Sequence, residues 1–255
     1  MYNNEIFYKY YDILFADKGY SKEIEDVIRL AERYGKKKGG DFLEIGCGTG
    51  NHTIELSKQC DSLVSLDIDA QMIEKAKVKI KDNDLTNVQL NYGGVGGLHC
   101  SGFSLAVALF NVVTYIPDSW QLLQFFKGVR ERLDNKGIFV FDCWNGIATI
   151  LDPALPKETI KYCDENRVIC SVKPDTDVIN QVTNLTYHIT AKNKDGETME
   201  EGEYILHQYL WTPQQIKFAA ELGGLEVLHC DSITSPGKGV DQSDRKIMFV
   251  CVKNE

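Results

Sequence analysis

Apolar residues follow two different spacings along the chain, and these spacings predict helices and strands in alternation. Helical spacing recurs in four segments, at residues 3–34 with a break near 17–19, at 51–59, from about 70 onward, and at 119–133. Five short segments that are apolar or alternate between apolar and polar residues predict strands, at residues 42–45, 62–66, 87–92, 104–110 and 138–143. Run 104–110 is typical of a central parallel strand, because it is continuously apolar from Leu105 onward. The alternation predicts an α/β fold with a doubly wound sheet.

From about Val168 to Leu210 the pattern changes to strands alone. We predict strands at 168–172, 178–191 and 203–211, separated by turns at Pro174-Asp175 and Asp195-Gly196. Short connections of this kind favour an antiparallel meander. A helix at 213–222 and two strands, at 225–229 and 247–252, close the chain.

Composition and charge narrow the classes of partner. The formal net charge of −9 argues against nucleic acid and anionic membranes, which both need clustered cations. The eight cysteines are scattered and several lie in apolar runs, so we expect free thiols and a reducing compartment. Met1-Tyr2-Asn3-Asn4-Glu5 lacks the features of a signal peptide, and no apolar run approaches the ~18 residues of a membrane span. The expected location is the cytoplasm.

The stretch from Phe42 to Thr53 carries the clearest chemical signal. An apolar strand leads into Gly46, Gly48 and Gly50, and a helical segment follows at once. Alternate glycines permit a tight turn with no Cβ between backbone and ligand, and a helix start offers unpaired N–H groups. Glu44 precedes the turn, where a carboxylate at the strand end can face a ligand. We interpret the stretch as a nucleotide-cofactor loop.

A carboxylate ends the second predicted strand. Asp67 lies about 20 residues beyond the turn, where a βαβ unit places an acid that accepts both hydroxyls of an adenosine ribose. Asp67 or Asp69 could instead only cap the next helix. We assign ribose binding to Asp67 and the cap to Asp69, which leaves Ile68 and Met72 placed to flank an adenine ring.

Asn51 stands where a nicotinamide or flavin domain requires a third glycine. The glycines at alternate positions, preceded by Glu44 and followed by Asp67, instead resemble class I S-adenosylmethionine-dependent methyltransferases. The resemblance covers nearly the whole chain and is strongest to enzymes that N-methylate amino groups of nucleotide-linked deoxysugars. It implies strand order 3-2-1-4-5-7-6 with the last strand antiparallel. It also implies a cofactor-binding domain at 1–145 and 212–255, and a small β subdomain at 146–211 that covers the substrate site.

The resemblance also implies the site residues. The expected cofactor contacts are Tyr20, Glu44, Gly46, Cys47, Gly48, Asp67, Ile68, Met72, Gly94, Val95, Phe110 and Asn111. Many relatives carry Asp at the position of Gly94 to hold the adenine amino group. Backbone groups of residues 93–98 could do this here, or the cofactor could bind more weakly.

Three residues are candidates for polar contacts or proton removal: Tyr11, Tyr115 and His207. Each has a structural alternative, since Tyr11 could belong to the core, Tyr115 could cap the sheet edge, and His207 could be a solvated strand residue. Asp142, Trp144 and Asn145 end the fifth strand, where they could shape the pocket, although Asn145-Gly146 could also be only a turn. The histidine spacing does not suggest a metal site, so we expect none.

We therefore expect transfer of a methyl group from S-adenosyl-L-methionine to nitrogen or oxygen of a small metabolite, such as a nucleotide-linked amino sugar. The expected assembly is a monomer or homodimer. Two alternatives stay open: an inactive cofactor-binding or regulatory protein, which Gly94 supports, and a nicotinamide-dependent dehydrogenase, which Asn51 disfavours.

Overall fold

The computed structural model describes residues 5–163 and 166–253. Helices lie at Glu5–Leu14 (α1), Tyr20–Arg33 (α2), Asn51–Ser57 (α3), Ala70–Asp82 (α4), Ser119–Arg132 (α5), Gly146–Leu151 (α6) and Pro213–Leu222 (α7). Strands lie at Asp41–Ile45 (β1), Ser62–Asp67 (β2), Val88–Tyr92 (β3), Phe103–Ala108 (β4), Leu133–Trp144 (β5), Lys157–Cys163 (β6), Asn166–Asp177 (β7), Val182–Lys192 (β8), Thr198–Tyr209 (β9), Leu225–Ser232 (β10) and Lys246–Lys253 (β11).

Seven of the strands form one sheet in the order β10-β11-β5-β4-β1-β2-β3. Neighbouring strands from β3 to β5 are parallel, whereas β11 is antiparallel to both β5 and β10. Numbered within this sheet alone, the order is 3-2-1-4-5-7-6 with the last strand antiparallel. The predicted α/β fold class and its Rossmann-like strand order are therefore confirmed.

The main core lies on this sheet, because its central strands bury both faces. β4 and the last part of β5 are almost entirely buried, as expected for the apolar run at 104–110. Helix α2 packs Ile24, Val27 and Ala31 into the same cluster as Phe42 and Leu105. Truncation of such a residue to alanine typically costs about 2–5 kcal/mol of stability.

A second, four-stranded antiparallel sheet runs in the order β6-β7-β8-β9. Its connections confirm the predicted meander, although β6 was not predicted. Helix α1 belongs with this sheet, since the Phe7 ring stacks on the Tyr204 ring at 4.1 Å between centroids. Tyr187 meets the same phenylalanine edge-on at 5.2 Å. Aromatic pairs of this kind add about 0.5–1.5 kcal/mol beyond the area that they bury.

Contacts divide the chain into two compact units. One comprises the described residues of Met1–Lys18 and Thr149–Leu210, and the other comprises those of Gly19–Ala148 and Trp211–Glu255. We refer to them as the small unit and the large unit. None of the helices in the described residues has both the length and the apolar character that crossing a membrane requires.

One predicted turn is wrong. Pro174 and Asp175 lie inside β7, where Pro174 is opposite Leu185 of β8. The reversal comes later, where Asp177 accepts hydrogen bonds from the backbone N–H and the side-chain amide of Asn180, at 2.9 and 2.6 Å. Gln181 then has a positive φ of 52°. Proline tolerates an extended conformation, so it is a weaker turn signal than this Asp-x-x-Asn pattern. The turn predicted at Asp195-Gly196 is confirmed.

Candidate active site

The glycine turn follows β1 at the carboxyl edge of the large sheet. Gly46 N and Cys47 N both donate to the Leu66 carbonyl of β2, at 2.7 and 3.0 Å, so the ladder continues into the turn. Gly46 has a φ of +74°, and a Cβ built there would lie only 2.5 Å from Cγ2 of Val112. Glycine is therefore required at position 46, where the turn meets the segment that follows β4.

Gly50 precedes α3 in a left-handed conformation, and Lys79 of α4 ties the start of this helix in place. The Lys79 Nζ donates to Thr49 Oγ1 at 2.9 Å and to the side-chain oxygen of Asn51. Asn51 stands where a dinucleotide loop has its third glycine. Its side chain therefore takes part in the hydrogen bonds that connect the turn to α4.

Glu44 is buried, with 3% of its surface exposed. Its Oε2 accepts hydrogen bonds from Thr53 Oγ1 of α3 at 2.6 Å and Ser65 Oγ of β2 at 2.7 Å. Burial raises the pKa of the Glu44 carboxyl, and the two hydroxyls only partly oppose this effect. The carboxylate thus links β1, β2 and α3 beneath the turn through its Oε2.

Asp67 ends β2 beside the glycine turn. The N–H groups of Gly48 and Asp69 each donate to a different oxygen of its carboxylate, both at 2.8 Å. Burial raises the pKa of Asp67, although both backbone donors lower it. A carboxylate has about four acceptor sites, so each oxygen keeps room for one further donor. Asp69 caps α4 by accepting from Gln71 N at 2.9 Å and Met72 N at 3.4 Å.

The residues expected near adenine differ in exposure. Ile68 is 72% exposed, whereas Met72 is buried. A Cβ at Gly94 would lie 3.8 Å from Ile68 Cγ2, so the two residues are neighbours and Gly94 leaves its side open. Val95 is buried against α5, where a Cβ at Gly128 would approach its Cγ1 to 3.0 Å. Val95 therefore anchors the loop after β3.

The chain turns abruptly after β4. Phe110 and Asn111 have positive φ values of 68° and 65°, so β4 ends at Ala108 and not at Phe110 as predicted. Residues other than glycine pay about 1–3 kcal/mol for such a conformation, and this strain recurs at functional sites. Asn111 is 3% exposed, and its Oδ1 has no hydrogen-bond partner within the part of the chain that the structure describes.

The side chain of Asp142 on β5 forms a hydrogen bond with the backbone of this turn. It is 4% exposed, and its Oδ1 accepts from Asn111 N at 3.0 Å. Its Oδ2 lies 3.5 Å from Lys246 Nζ of β11. The ammonium is also 5.5 Å from the ring centroids of both Phe110 and Trp144, which is within the range of cation–π attraction.

Tyr20 begins α2 near the start of α3. Its ring meets the His52 ring edge-on, with 4.8 Å between centroids. His52 Nε2 lies 2.8 Å from a carboxylate oxygen of Glu23. Tyr20, the expected cofactor contact, therefore belongs to a cluster between α2 and α3, the helix that follows the glycine turn.

Comparison with known proteins decides the family. The family described as methyltransferase domain matches residues 36–203, more than half of the chain. The chain belongs to this family. The expected enzyme class, an S-adenosylmethionine-dependent methyltransferase, is thereby confirmed together with its cofactor at the level of the family. The nicotinamide alternative finds no support.

Individual relatives are distant. A protein of Geobacillus sp. (strain WCH70), named as a provisional methyltransferase, is 25% identical over 140 residues, or 54% of this chain and 56% of that protein. The chain thus spans about half the length of this relative. The dTDP-3-amino-3,4,6-trideoxy-alpha-D-glucopyranose N,N-dimethyltransferase of Streptomyces venezuelae is 24% identical over 183 residues, or 71% of this chain and 74% of that enzyme. A solved S-adenosylmethionine-dependent methyltransferase from Clostridium acetobutylicum ATCC 824 shares the fold, with a TM-score of 0.78, 21% identity and 99% of both chains covered.

The residues of this methyltransferase domain fit the cofactor. Asp67 is fixed by two backbone donors and keeps free acceptor sites for a ribose. The exposed side chain of Ile68 beside open Gly94 provides an apolar surface for a planar base. Asn111 Oδ1 needs a donor that the described residues do not supply.

The three candidates for catalysis lie in different units of the methyltransferase. Tyr115 is in the large unit, at the end of the turn after β4, and is 39% exposed. Tyr11 and His207 are in the small unit. The Tyr11 ring is 4.8 Å from that of Phe15, and His207 Nδ1 lies 2.7 Å from Asn184 Oδ1 on the neighbouring strand. Their roles stay predictions.

Several residues of the site were not predicted from the sequence. They are Thr53 and Lys79 on helices α3 and α4, and Ser65 and Lys246 on strands β2 and β11. One signal was available: Ser65 and Glu44 occupy equivalent places in adjacent strands, and their pairing in register would bring the hydroxyl to the carboxylate.

Proposed function

We propose that the chain transfers a methyl group from S-adenosyl-L-methionine to nitrogen or oxygen of a small metabolite. The observation that carries the proposal is the close approach of Gly46 to Val112. It joins the glycine turn, which is expected to hold the cofactor, to the strained turn that contains Phe110 and Asn111. A methyl donor on the first turn would thus lie beside groups that can orient an acceptor.

A nucleotide-linked amino sugar is the first substrate class to test. The Streptomyces venezuelae relative is named for methylation of a dTDP-linked amino sugar, and its match covers 71% of this chain. The net charge of −9 adds support for a small acceptor over a nucleic acid, whose backbone binds clustered cations.

The chemistry divides between cofactor and protein. The cofactor supplies an electrophilic methyl group on a sulfonium. Asp67 would hold the ribose, Ile68 would cover the adenine, and the turn at Phe110-Asn111 would orient the acceptor. Orientation of this kind can lower a barrier by roughly 7–11 kcal/mol. Tyr11, Tyr115 and His207 are the residues that we propose for polar contacts with the acceptor or for removal of its proton.

Calorimetric titration with S-adenosylhomocysteine tests the cofactor assignment. Asp67→Ala removes the carboxylate next to the ribose position and should weaken binding at least tenfold, by about 1.4 kcal/mol or more. Asp69→Ala is the matched control, because it removes a helix cap two residues away and should cost about 1 kcal/mol of stability with little change in affinity. Equal affinity of wild type and Asp67→Ala would refute the assignment.

A substrate screen tests the acceptor class. Amino sugars and hydroxylated nucleotide sugars are incubated with cofactor and enzyme, and the products are weighed by mass spectrometry for a gain of about 14 Da per methyl group. Methylation of only a protein or a nucleic acid would refute the small-molecule proposal. Turnover of any acceptor would exclude the inactive-protein alternative.

A further inference from the structure

The turn at Phe110-Asn111 departs from ordinary backbone conformation in two successive residues. Their φ values are 68° and 65°, and neither residue is glycine. Asparagine tolerates the left-handed region better than most residues, but phenylalanine does not. Contacts from elsewhere in the fold must therefore hold the turn, because a strained conformation persists only when its surroundings determine it.

The contacts of Asn111 fix its backbone and leave its side-chain oxygen in need of a donor. Its N–H donates to Asp142 Oδ1 at 3.0 Å, and its carbonyl accepts from Thr114 Oγ1 at 2.7 Å. Oδ1 is buried and without a partner among the described residues. A buried acceptor that stays unpaired is unfavourable, so a ligand N–H or O–H at this position would relieve the cost.

Asp142 can hold the turn only if its own charge is balanced. The carboxylate is 4% exposed, and isolated charges are not tolerated at such depth. Lys246 Nζ lies 3.5 Å from its second oxygen. Lys246 is opposite Trp144 in the antiparallel pairing of β5 and β11, which places it diagonal to Asp142. The rings of Phe110 and Trp144 contact the same ammonium.

We propose that Lys246 is a positioning residue for the methyl-transfer site. Its charge balances Asp142, Asp142 fixes the backbone of Asn111, and the Asn111 carboxamide is thereby held in place for a hydrogen-bond donor of the ligand. This inference rests on the proposed methyltransferase function, and it assigns Lys246 no direct contact with the methyl acceptor.

Variants that remove the charge of Lys246, of Asp142 or of both residues distinguish a positioning role of Lys246 from direct substrate binding. Lys246→Met leaves a buried carboxylate without its partner, and Asp142→Asn keeps an oxygen that can accept from Asn111 N. Asp142→Asn with Lys246→Met removes both charges together. Lys253→Met is the matched control, since Lys253 lies on the same strand and donates to the Leu133 carbonyl, at 2.7 Å.

The first readout is hydrogen–deuterium exchange of residues 109–115 in the ligand-free protein. Lys246→Met should speed exchange in this segment by about tenfold or more, because the buried Asp142 carboxylate loses its partner. The double variant should return it most of the way to the wild-type rate, and Lys253→Met should not change it. Exchange that is unaltered in Lys246→Met would overturn the proposal whether or not the protein transfers methyl groups.

The second readout is kinetic. Lys246→Met should lower kcat by about tenfold or more, and the double variant should regain most of this loss. If the double variant is as impaired as Lys246→Met, the lysine acts on the ligand directly and the proposal is overturned. If Lys246→Met does not fold, the double variant decides, since it buries no unpaired charge.

The proposed function itself would be refuted by wild-type protein that neither binds S-adenosylhomocysteine nor methylates any acceptor. The exchange experiment would still decide whether Lys246 and Asp142 hold the turn.

Discussion

Gly46→Ala is the substitution that tests the geometry of the cofactor turn most directly. Two costs combine at this position. The φ of +74° is unfavourable for alanine by about 1–2 kcal/mol. The new Cβ would also lie 2.5 Å from Val112 Cγ2 and 3.0 Å from Cγ1, and such overpacking typically costs about 1–3 kcal/mol. The β-branched Val112 has little rotamer freedom to relieve both contacts.

The expected loss is therefore about 2–5 kcal/mol of unfolding free energy, measured by urea denaturation. Gly239→Ala is the control for backbone conformation, because Gly239 has a φ of +75° and a Cβ there would meet nothing within 4 Å. It should lose only the first part of the cost. Val112→Ala in the Gly46→Ala background should recover much of the second part. Wild type, Gly46→Ala, Val112→Ala and the variant with both substitutions form a double-mutant cycle.

Affinity for S-adenosylhomocysteine should fall together with stability in Gly46→Ala, since the same turn is expected to hold the cofactor. The reasoning would be refuted if Gly46→Ala loses no more stability than Gly239→Ala. It would also be refuted if Val112→Ala costs the same in both backgrounds, because no contact between positions 46 and 112 would then be present.

Three further predictions concern the surroundings of the turn. Burial raises the pKa of the Glu44 carboxyl in the folded protein above its value in the unfolded chain. The carboxyl therefore contributes fully to the free energy of unfolding at a pH below its unfolded pKa, and this contribution is lost as the pH rises through its folded pKa. Glu44→Gln should therefore exceed wild type in unfolding free energy at pH 7, with the advantage shrinking towards pH 4 in urea titrations. Lys79→Met should cost about 1 kcal/mol by removing bonds to Thr49 and Asn51, with weaker S-adenosylhomocysteine binding by calorimetry. Thr212→Ala breaks the capping box of α7 and should cost about 1 kcal/mol of stability, with cofactor affinity unchanged.

The elements around the glycine turn could be predicted because their signals are local. A strand, three glycines and a helix follow one another, and the ends of β1, α3 and β2 lie within one or two residues of their predicted positions. The capping role of Asp69 was also predictable, since a side-chain cap acts on the residues that directly follow it. The position of Asp67 beside Gly48 follows from the geometry of a βαβ unit.

Long-range contacts could not be predicted in the same way. Asp142 and Lys246 meet only because β11 enters the sheet antiparallel beside β5, in a register that the apolar pattern of either strand does not specify. The end of β4 was placed two residues too late because Leu109 and Phe110 continue its apolar run, whereas the backbone of Phe110 is left-handed. Hydrophobic pattern reports burial, and burial continues through this turn although the strand does not.

The glycine turn shows how one departure from a dinucleotide loop is accommodated. In that loop the third glycine lets the helix pack closely, and this chain has Asn51 in its place. Gly50 instead approaches the neighbouring helix α4, since a Cβ at Gly50 would lie 3.3 Å from Cβ of Ala76. The Asn51 side chain accepts a hydrogen bond from Lys79, which also lies on α4. Helices α3 and α4 are thus connected by a close backbone contact at Gly50 and a hydrogen bond at Asn51. The alternate glycines and Asn51 thus form a turn that is fastened to α4 at two successive residues, a contact that differs from the helix–strand packing of a dinucleotide loop.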